Sequence, residues 1–129
     1  MKHREYELQV SVCNYLRVAY PKALFMSDTI ANVRLTIPQQ VRNKKIQKKG
    51  FACPDLLILE PNGIHCGLFI ELKTKSPYKK NGELYKNEHL ENQQDTINDL
   101  IMRGYSAQFC WSLDQAIKII DEYFSHVIK

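Results

Sequence analysis

The chain carries the segment CPDLLILE at positions 53–60 and the segment LFIELK at positions 68–73, with PNG between them at 61–63. Short apolar runs of this kind predict β-strands, here over 56–60 and 64–74. Proline, asparagine and glycine in succession predict a turn, so the two strands should form a hairpin.

Acidic and basic side chains lie near the ends of the two strands of this hairpin. Alternate residues of a strand point to the same face, so Glu71 and Lys73 should emerge together while Ile70 and Leu72 face the core. The hairpin places Asp55, at the start of the first strand, beside that pair. Two carboxylates and a lysine are therefore expected to meet at one end of a sheet.

Carboxylate oxygens suit Mg²⁺ or Mn²⁺, whereas zinc prefers histidine and cysteine. The expected ligands are Asp55, Glu71 and the backbone carbonyl of Leu72, together with waters and a phosphate oxygen. Such an ion lowers the pKa of a bound water and neutralises charge in phosphoryl chemistry. Lys73 would either orient the attacking water or stabilise the developing charge.

A plainer interpretation makes Asp55 an ordinary residue at a strand start and Glu71 with Lys73 an exposed ion pair. Glu71, however, lies in a strongly apolar strand, where a charge needs a reason because its burial is costly. The metal site is therefore the favoured hypothesis.

The other predicted elements surround the hairpin. Apolar positions at helical spacing predict a first helix over about 4–19, and Ser112 with Gln115 predicts a capping box at the start of the last helix. Further predictions are a strand over 23–27, a helix from Pro38 to Gly50, an exposed polar loop over 75–88, a helix from about Leu90 to Arg103 and a strand over 107–111. Only 28–37 has no clear period. This order predicts one α/β domain over 1–129, with a mixed β-sheet flanked by helices.

Composition is that of an average globular protein. The 129 residues are 44% hydrophobic and 25% charged, which is enough for one core and excludes full disorder. No apolar run is long enough to span a membrane, and no apolar stretch follows the first charges, so a cytoplasmic location is expected. The net charge of +4 permits a nucleic-acid partner. Four cysteines without zinc spacing are expected to be reduced and mostly buried.

The motif residues resemble a known family. Pro54-Asp55 with Glu71-Leu72-Lys73 looks like the PD-(D/E)XK nuclease signature, and GFACPD at 50–55 and LFIELKT at 68–74 resemble its flanking pattern. With the helix opened by Glu5 and Gln9, and with Asn92-Gln93 eleven residues before Gly104, the chain is similar to small standalone VRR-Nuc proteins of phages and bacteria over roughly 5–123. Cys53 stands where that family usually carries glycine, so the turn before Asp55 departs from the family pattern.

The resemblance implies a restriction-endonuclease-like fold and further site residues. Glu5 is expected as a third carboxylate, with Glu7 as its rival, and Gln93 as an active-site group, with Gln94 as its rival. Beside a nuclease site, the basic run is expected to contact phosphates, although such runs are often only solvated faces. Its members are Arg42, Lys44, Lys45, Lys48 and Lys49, with Asn32 and Arg34 as possible neighbours on that surface.

The function that follows is a Mg²⁺- or Mn²⁺-dependent DNA endonuclease. The family resemblance implies branched DNA, such as flaps or four-way junctions, cut by a homodimer in a bacterial or phage-infected cell. The irregular stretches 28–37 and 75–88 would reach the partner or clamp the DNA. The alternatives are a restriction-like or non-specific nuclease and a DNA-binding member that does not cut. Intact Asp55, Glu71 and Lys73 favour cutting.

Overall fold

The computed structural model describes residues 2–27 and 34–126, and the side chains within 4–27 and 34–126. Four helices and four strands lie in these ranges, in the predicted order. They are α1 (Lys2–Ala19), β1 (Phe25–Ser27), α2 (Ile37–Ile46), β2 (Leu56–Ile58), β3 (Leu68–Leu72), α3 (Glu88–Met102), β4 (Ser106–Cys110) and α4 (Leu113–Ser125). No helix in these ranges has the length and hydropathy that a bilayer crossing needs.

The strands form one sheet in the order β1-β2-β3-β4. β2 pairs antiparallel with both β1 and β3, whereas β3 pairs in parallel with β4, so the predicted mixed sheet is confirmed. Leu56 lies opposite Ile70 in the β2–β3 hairpin. Asp55, one residue before β2, therefore falls opposite Glu71.

Both hairpin strands are shorter than the sequence predicts, because the connection is built around a buried asparagine. The side chain of Asn62 accepts hydrogen bonds from the backbone N–H groups of Ile64 (3.0 Å) and His65 (2.7 Å). It donates to the Tyr123 carbonyl at 3.0 Å. These bonds take the backbone that follows Asn62 out of the ladder, so β3 begins only at Leu68.

Helices cover the sheet on both faces. On one face, Ile58 and Ile70 pack with Leu16 of α1 and Ile120 of α4. On the other face, Phe69, Ala107 and Phe109 pack with Ile97 and Leu100 of α3. All five residues of β3 are consequently buried.

This burial corrects one expectation about the site. Glu71 and Lys73 do lie on the face opposite Ile70 and Leu72, but Glu71 does not emerge into solvent. It is only 6% exposed, because α3 lies over its face of the sheet. Two of the four cysteines, Cys53 and Cys66, are likewise exposed and not buried as expected.

The bounds of α2 differ from the prediction. Thr36 caps the helix by accepting a hydrogen bond from the Gln39 N–H, and the Gln39 side chain accepts one from the Thr36 N–H, a complete capping box. The helix ends at Ile46 and not at Gly50, so Lys48 and Lys49 lie beyond it. No residue of α2 is buried, and nothing in the core therefore holds a further turn.

The start of α4 uses half of its predicted capping box. Ser112 accepts a hydrogen bond from the Gln115 N–H at 3.1 Å, as expected. The Gln115 side chain accepts instead from the Trp111 N–H at 2.8 Å, one residue earlier than the box requires. The helix start is confirmed, and the reciprocal bond is displaced by one residue.

The stretch predicted as an exposed loop over 75–88 contains a small hairpin. Tyr78 and Leu84 form an antiparallel bridge, and the Tyr85 N–H donates to the Pro77 carbonyl at 2.9 Å. We call this segment the 77–85 hairpin. Both Tyr78 and Leu84 pack on the core beneath α3, so only part of the stretch is exposed.

Candidate active site

Hydrogen bonds link Asp55 and Glu71 across the open end of the β2–β3 hairpin. The Asp55 N–H donates to Glu71 Oε2 at 3.1 Å, and the Leu72 N–H donates to Asp55 Oδ2 at 2.8 Å. Each carboxylate thus accepts a backbone bond at the end of the strand pairing. The predicted convergence of Asp55 with Glu71 is what the structure contains.

The two acids also repel each other electrostatically. Burial, followed by the hydrogen bond and negative charge of Asp55, raises the pKa of Glu71 far above its ordinary value. The positive charge of Lys73 opposes this shift. A buried carboxylate next to a half-buried one, with one nearby lysine, is short of positive charge, and a cation between the two acids would reduce their repulsion.

Gln93 of α3 completes the contacts of Glu71. Its amide Nε2 donates a short hydrogen bond to Glu71 Oε1. Its own Oε1 is buried and has no hydrogen-bond partner among the described residues. Gln94, the rival position, is half-buried and bonds instead with Asn98 (3.0 Å) and the Tyr78 hydroxyl (3.4 Å). The structure therefore brings Gln93, and not Gln94, to the carboxylate pair.

Glu5 approaches from the first turn of α1. It is half-buried, and burial followed by the charge of Asp55 raises its pKa, while Lys73 and His89 act in the opposite direction. The rival Glu7 is exposed. Glu5 and Lys73 line a common cavity of about 410 Å³. This places Glu5 beside the site and leaves Glu7 at the surface.

Lys73 occupies the same side of the sheet as Glu71. Its backbone N–H donates to the Cys110 carbonyl at 2.8 Å, which continues the pairing of β3 with β4. Its Nζ lies 5.9 Å from the centroid of the Phe109 ring. The aromatic face and the strand thus fix where the amine enters the cavity.

The donor set fits a hard divalent cation. Asp55, Glu71 and the Leu72 carbonyl offer only oxygen, and the unpartnered Gln93 Oε1 adds another oxygen nearby. Within 4–27 and 34–126, no three His, Cys, Asp or Glu side chains are grouped closely enough to hold a metal ion. Mg²⁺ often takes one or two protein carboxylates and completes its shell with waters and phosphate, so two acids suffice.

The basic run lies apart from this cavity. Arg42, Lys44 and Lys45 are exposed on α2. Beyond that helix, Lys48 and Lys49 line a separate groove of about 250 Å³ with Arg103. None of the five lines the cavity of Glu5 and Lys73. Arg34 is exposed, whereas Asn32 lies outside the described residues.

Sequence reasoning did not find the support behind Asp55. The Ser27 hydroxyl of β1 donates to the Asp55 carbonyl at 3.0 Å. Gln9 of α1, which is buried, donates in turn to the Ser27 hydroxyl. Gln9 lies one helical turn after Glu5, which is a local signal, but nothing in the sequence near Ser27 indicates its contact. His89 beside Glu5 was also missed.

A comparison with solved structures shows the same architecture in another protein. The chain is similar to a VRR_NUC domain protein with a TM-score of 0.62 and 23% sequence identity, over 95% of this chain and 89% of that chain. No family model matches the sequence, and neither does a curated protein. The predicted restriction-endonuclease-like sheet and the resemblance to this family are thus confirmed at the level of the fold: the chain has the fold of a VRR_NUC domain protein.

Proposed function

We propose that this protein is a metal-dependent nuclease that hydrolyses phosphodiester bonds in DNA. The observation that carries the proposal is the contact between Asp55 and Glu71, with Lys73 one residue beyond the end of β3. A buried Glu71 beside a second, half-buried acid is costly to fold, and phosphoryl transfer gives the pair a use. The fold shared with a VRR_NUC domain protein supports the same conclusion.

Asp55, Glu71 and the Leu72 carbonyl are the groups that would hold Mg²⁺ or Mn²⁺. When bound, the ion would neutralise charge on the phosphate and favour ionisation of the attacking water. Gln93 keeps Glu71 in place through its amide hydrogen bond. Ser27 does the same for the backbone of Asp55. These neighbours fix the geometry of the ligands before substrate arrives.

The remaining side chains act on the substrate. In hydrolysis the water loses a proton to solvent as its oxygen bonds to phosphorus, the ester P–O bond breaks, and the leaving oxygen takes up a proton from solvent or from a nearby acid. Lys73 lies at the cavity wall, where it orients the water or stabilises negative charge on the phosphate. Glu5 faces the same space and, as a half-buried acid, is placed to exchange a proton with solvent or with the leaving group.

The test is a cleavage assay on purified protein with linear DNA, in Mg²⁺, in Mn²⁺ and with a chelator. Asp55→Asn and Glu71→Gln keep the size of each side chain and remove its charge, so both should abolish cutting. Glu7→Gln on the exposed side of α1 is the matched control and should retain full activity. Full activity of Glu71→Gln would contradict the site. Wild-type protein that binds DNA and never cuts it would favour the non-cleaving alternative.

We extend the proposal to the form of the substrate. The family resemblance supports branched DNA, cut by a homodimer, in preference to a restriction-like or non-specific activity. A closed two-fold dimer carries two sites related by symmetry, which matches the two opposed strands of a four-way junction. The cytoplasmic location expected from the sequence stays a prediction.

A further inference from the structure

The cavity beside the acid pair has features that hydrolysis does not require. Its lining includes Tyr85 and the lysines Lys75 and Lys86. At about 410 Å³ it falls within the size range of pockets that enclose a small organic group. None of these three residues belongs to the nuclease motif, so their presence next to Lys73 calls for a separate explanation.

We propose that this cavity binds an unpaired nucleotide of the DNA substrate, with Tyr85 stacking on its base and Lys75 and Lys86 contacting its phosphates. The inference rests on the proposed nuclease function and adds a substrate class to it. A base inside a duplex has both faces stacked on its neighbours and offers none to a protein ring. The interior of a duplex therefore cannot use this arrangement, whereas an unpaired nucleotide can.

The backbone that presents Tyr85 is held rigidly. The Lys79 N–H donates to the Glu83 carbonyl at 2.7 Å and the Gly82 N–H donates to the Lys79 carbonyl at 2.9 Å. The Asn81 side chain accepts from the Glu83 N–H at 2.9 Å. The backbone that carries Tyr85 therefore loses little freedom when the ring meets a base, which favours binding.

The two tyrosines of the hairpin have different surroundings. Tyr78 meets Phe109 and Trp111 edge-on, with ring centroids 6.0 Å apart in both pairs, and so fastens the hairpin to the sheet. Tyr85 is 49% exposed and has no ring partner among the described residues. One aromatic side chain of the hairpin therefore serves the fold, and the other offers an open face at the cavity.

Charge favours a polyanion in the same place. Three lysines, Lys73, Lys75 and Lys86, line the cavity against one carboxylate, that of Glu5. Neither Lys75 nor Lys86 is held in an ion pair with a described residue. Free lysines beside an exposed aromatic ring are the combination that proteins use to bind single-stranded nucleic acid.

The experiment measures binding without cleavage. The full chain, in the presence of a chelator, is titrated into a labelled single-stranded oligonucleotide and into the blunt duplex of the same sequence. Tyr85→Leu should weaken single-strand binding by about ten-fold and leave duplex binding unchanged, whereas Tyr85→Phe keeps the ring and should bind as the wild type. Equal losses on both DNAs, or no loss, would overturn the inference.

Two further readouts separate stacking from charge. A 2-aminopurine in the single strand should lose fluorescence on binding wild-type protein, and an unchanged signal would overturn stacking without reliance on any variant. Changing Lys75 and Lys86 together to Ala should lower the slope of log affinity against log salt by about 1.4 on the single strand. Lys79→Ala with Lys80→Ala, on the same hairpin but outside the cavity lining, should lower it less; an equal effect would contradict the assignment.

Because these measurements need no cutting, they fail independently of the proposed function. Protein that binds unpaired DNA through Tyr85 and never cleaves it contradicts the nuclease proposal alone. Protein that cleaves DNA but shows no dependence on Tyr85 contradicts the cavity assignment alone.

Discussion

At the scale of single residues, Lys73 differs from the two acids in what its side chain contributes. Asp55 and Glu71 accept backbone hydrogen bonds across the hairpin, whereas the Lys73 side chain lies over the Phe109 ring and lines the cavity. Lys73 is therefore open to substitution with little change to the fold.

Lys73→Ala should reduce cleavage by at least about 100-fold, because a positioned positive charge is lost from the transition state. Binding of Mn²⁺ should persist, since Asp55 and Glu71 are intact, and calorimetric titration of the metal measures this directly. Lys79→Ala, an exposed lysine of the 77–85 hairpin, is the control and should cut as the wild type. Cleavage by Lys73→Ala at the wild-type rate would remove Lys73 from the chemistry.

Tyr123 gives a prediction about stability. Its hydroxyl donates a short hydrogen bond to the Glu60 carbonyl, and burial, followed by the charges of Cys66 and Glu60, raises its pKa from 10.0 to about 12. Tyr123→Phe should lower the free energy of unfolding near neutral pH by about 1–2 kcal/mol, because the partly buried Glu60 carbonyl loses its hydrogen-bond donor.

The pH dependence of that difference follows from the raised pKa. The wild type keeps the full contribution of the phenol below about pH 10 and loses it as the pH rises through about 12. The gap between wild type and Tyr123→Phe should therefore narrow over this range, as measured by urea unfolding at a series of pH values. A gap that stays constant would contradict the assignment of the shift to Tyr123.

At the scale of elements, α2 is the helix that can be changed most freely. It buries no residue, and its cations project into solvent, so removing charge there should leave stability unchanged. DNA phosphates release their condensed counterions when such cations contact them. Each contact therefore steepens the fall of DNA affinity with rising salt.

Neutralising Lys44, Lys45, Lys48 and Lys49 to Gln should weaken DNA binding for all sequences alike and flatten its salt dependence. The cutting rate at saturating DNA should not change. Lys22→Gln with Lys118→Gln removes charge from other exposed positions and serves as the control. An unaltered salt slope would show that the basic run is only a solvated surface.

Some elements and contacts were predictable from the sequence, and others were not. The β2–β3 hairpin and the meeting of Asp55 with Glu71 were predictable, because turn residues and strand alternation are local signals. The burial of Glu71 was not, since a strand does not encode which helix covers its second face. The 77–85 hairpin was missed because Tyr78 is anchored by rings more than thirty residues away along the chain. The contact of Gln93 came from resemblance alone.

At the scale of the whole molecule, one exposed sheet edge supports the proposed dimer. β1 is an edge strand, and Leu24 beside it and Met26 within it are 66% and 56% exposed. Val18 on the preceding helix is 83% exposed. Unpaired strand edges with apolar side chains are ready partners for a second chain. The 77–85 hairpin packs on its own sheet, and 28–33 lies outside the described residues. The edge of β1 is therefore the surface that supports a dimer.

We expect light scattering to give a mass near twice 15.1 kDa, and Leu24→Glu with Met26→Glu to return the monomer. On a four-way junction the proposed dimer should make paired, symmetric nicks, one from each of its two sites, and it should cut linear duplex less well. Glu83→Gln, a charge change on the exposed tip of the 77–85 hairpin, should leave the mass unchanged. A monomer at micromolar concentration with equal activity on every DNA would contradict this assembly.

The reciprocal bonds of Asp55 and Glu71 have an evolutionary consequence. Each acid fastens the partner strand's backbone, so a mutation at either position costs structure as well as activity. In a lineage that no longer needed catalysis, replacing either acid would still remove a backbone hydrogen bond, even though the burial of a charged Glu71 is itself unfavourable. The Lys73 side chain lies over the Phe109 ring and makes no hydrogen bond to the backbone of a described partner strand, so its replacement removes no contact of this kind. If a lineage with this fold loses its enzymatic activity, we therefore expect Lys73 to be replaced first, while Asp55 and Glu71 are still present.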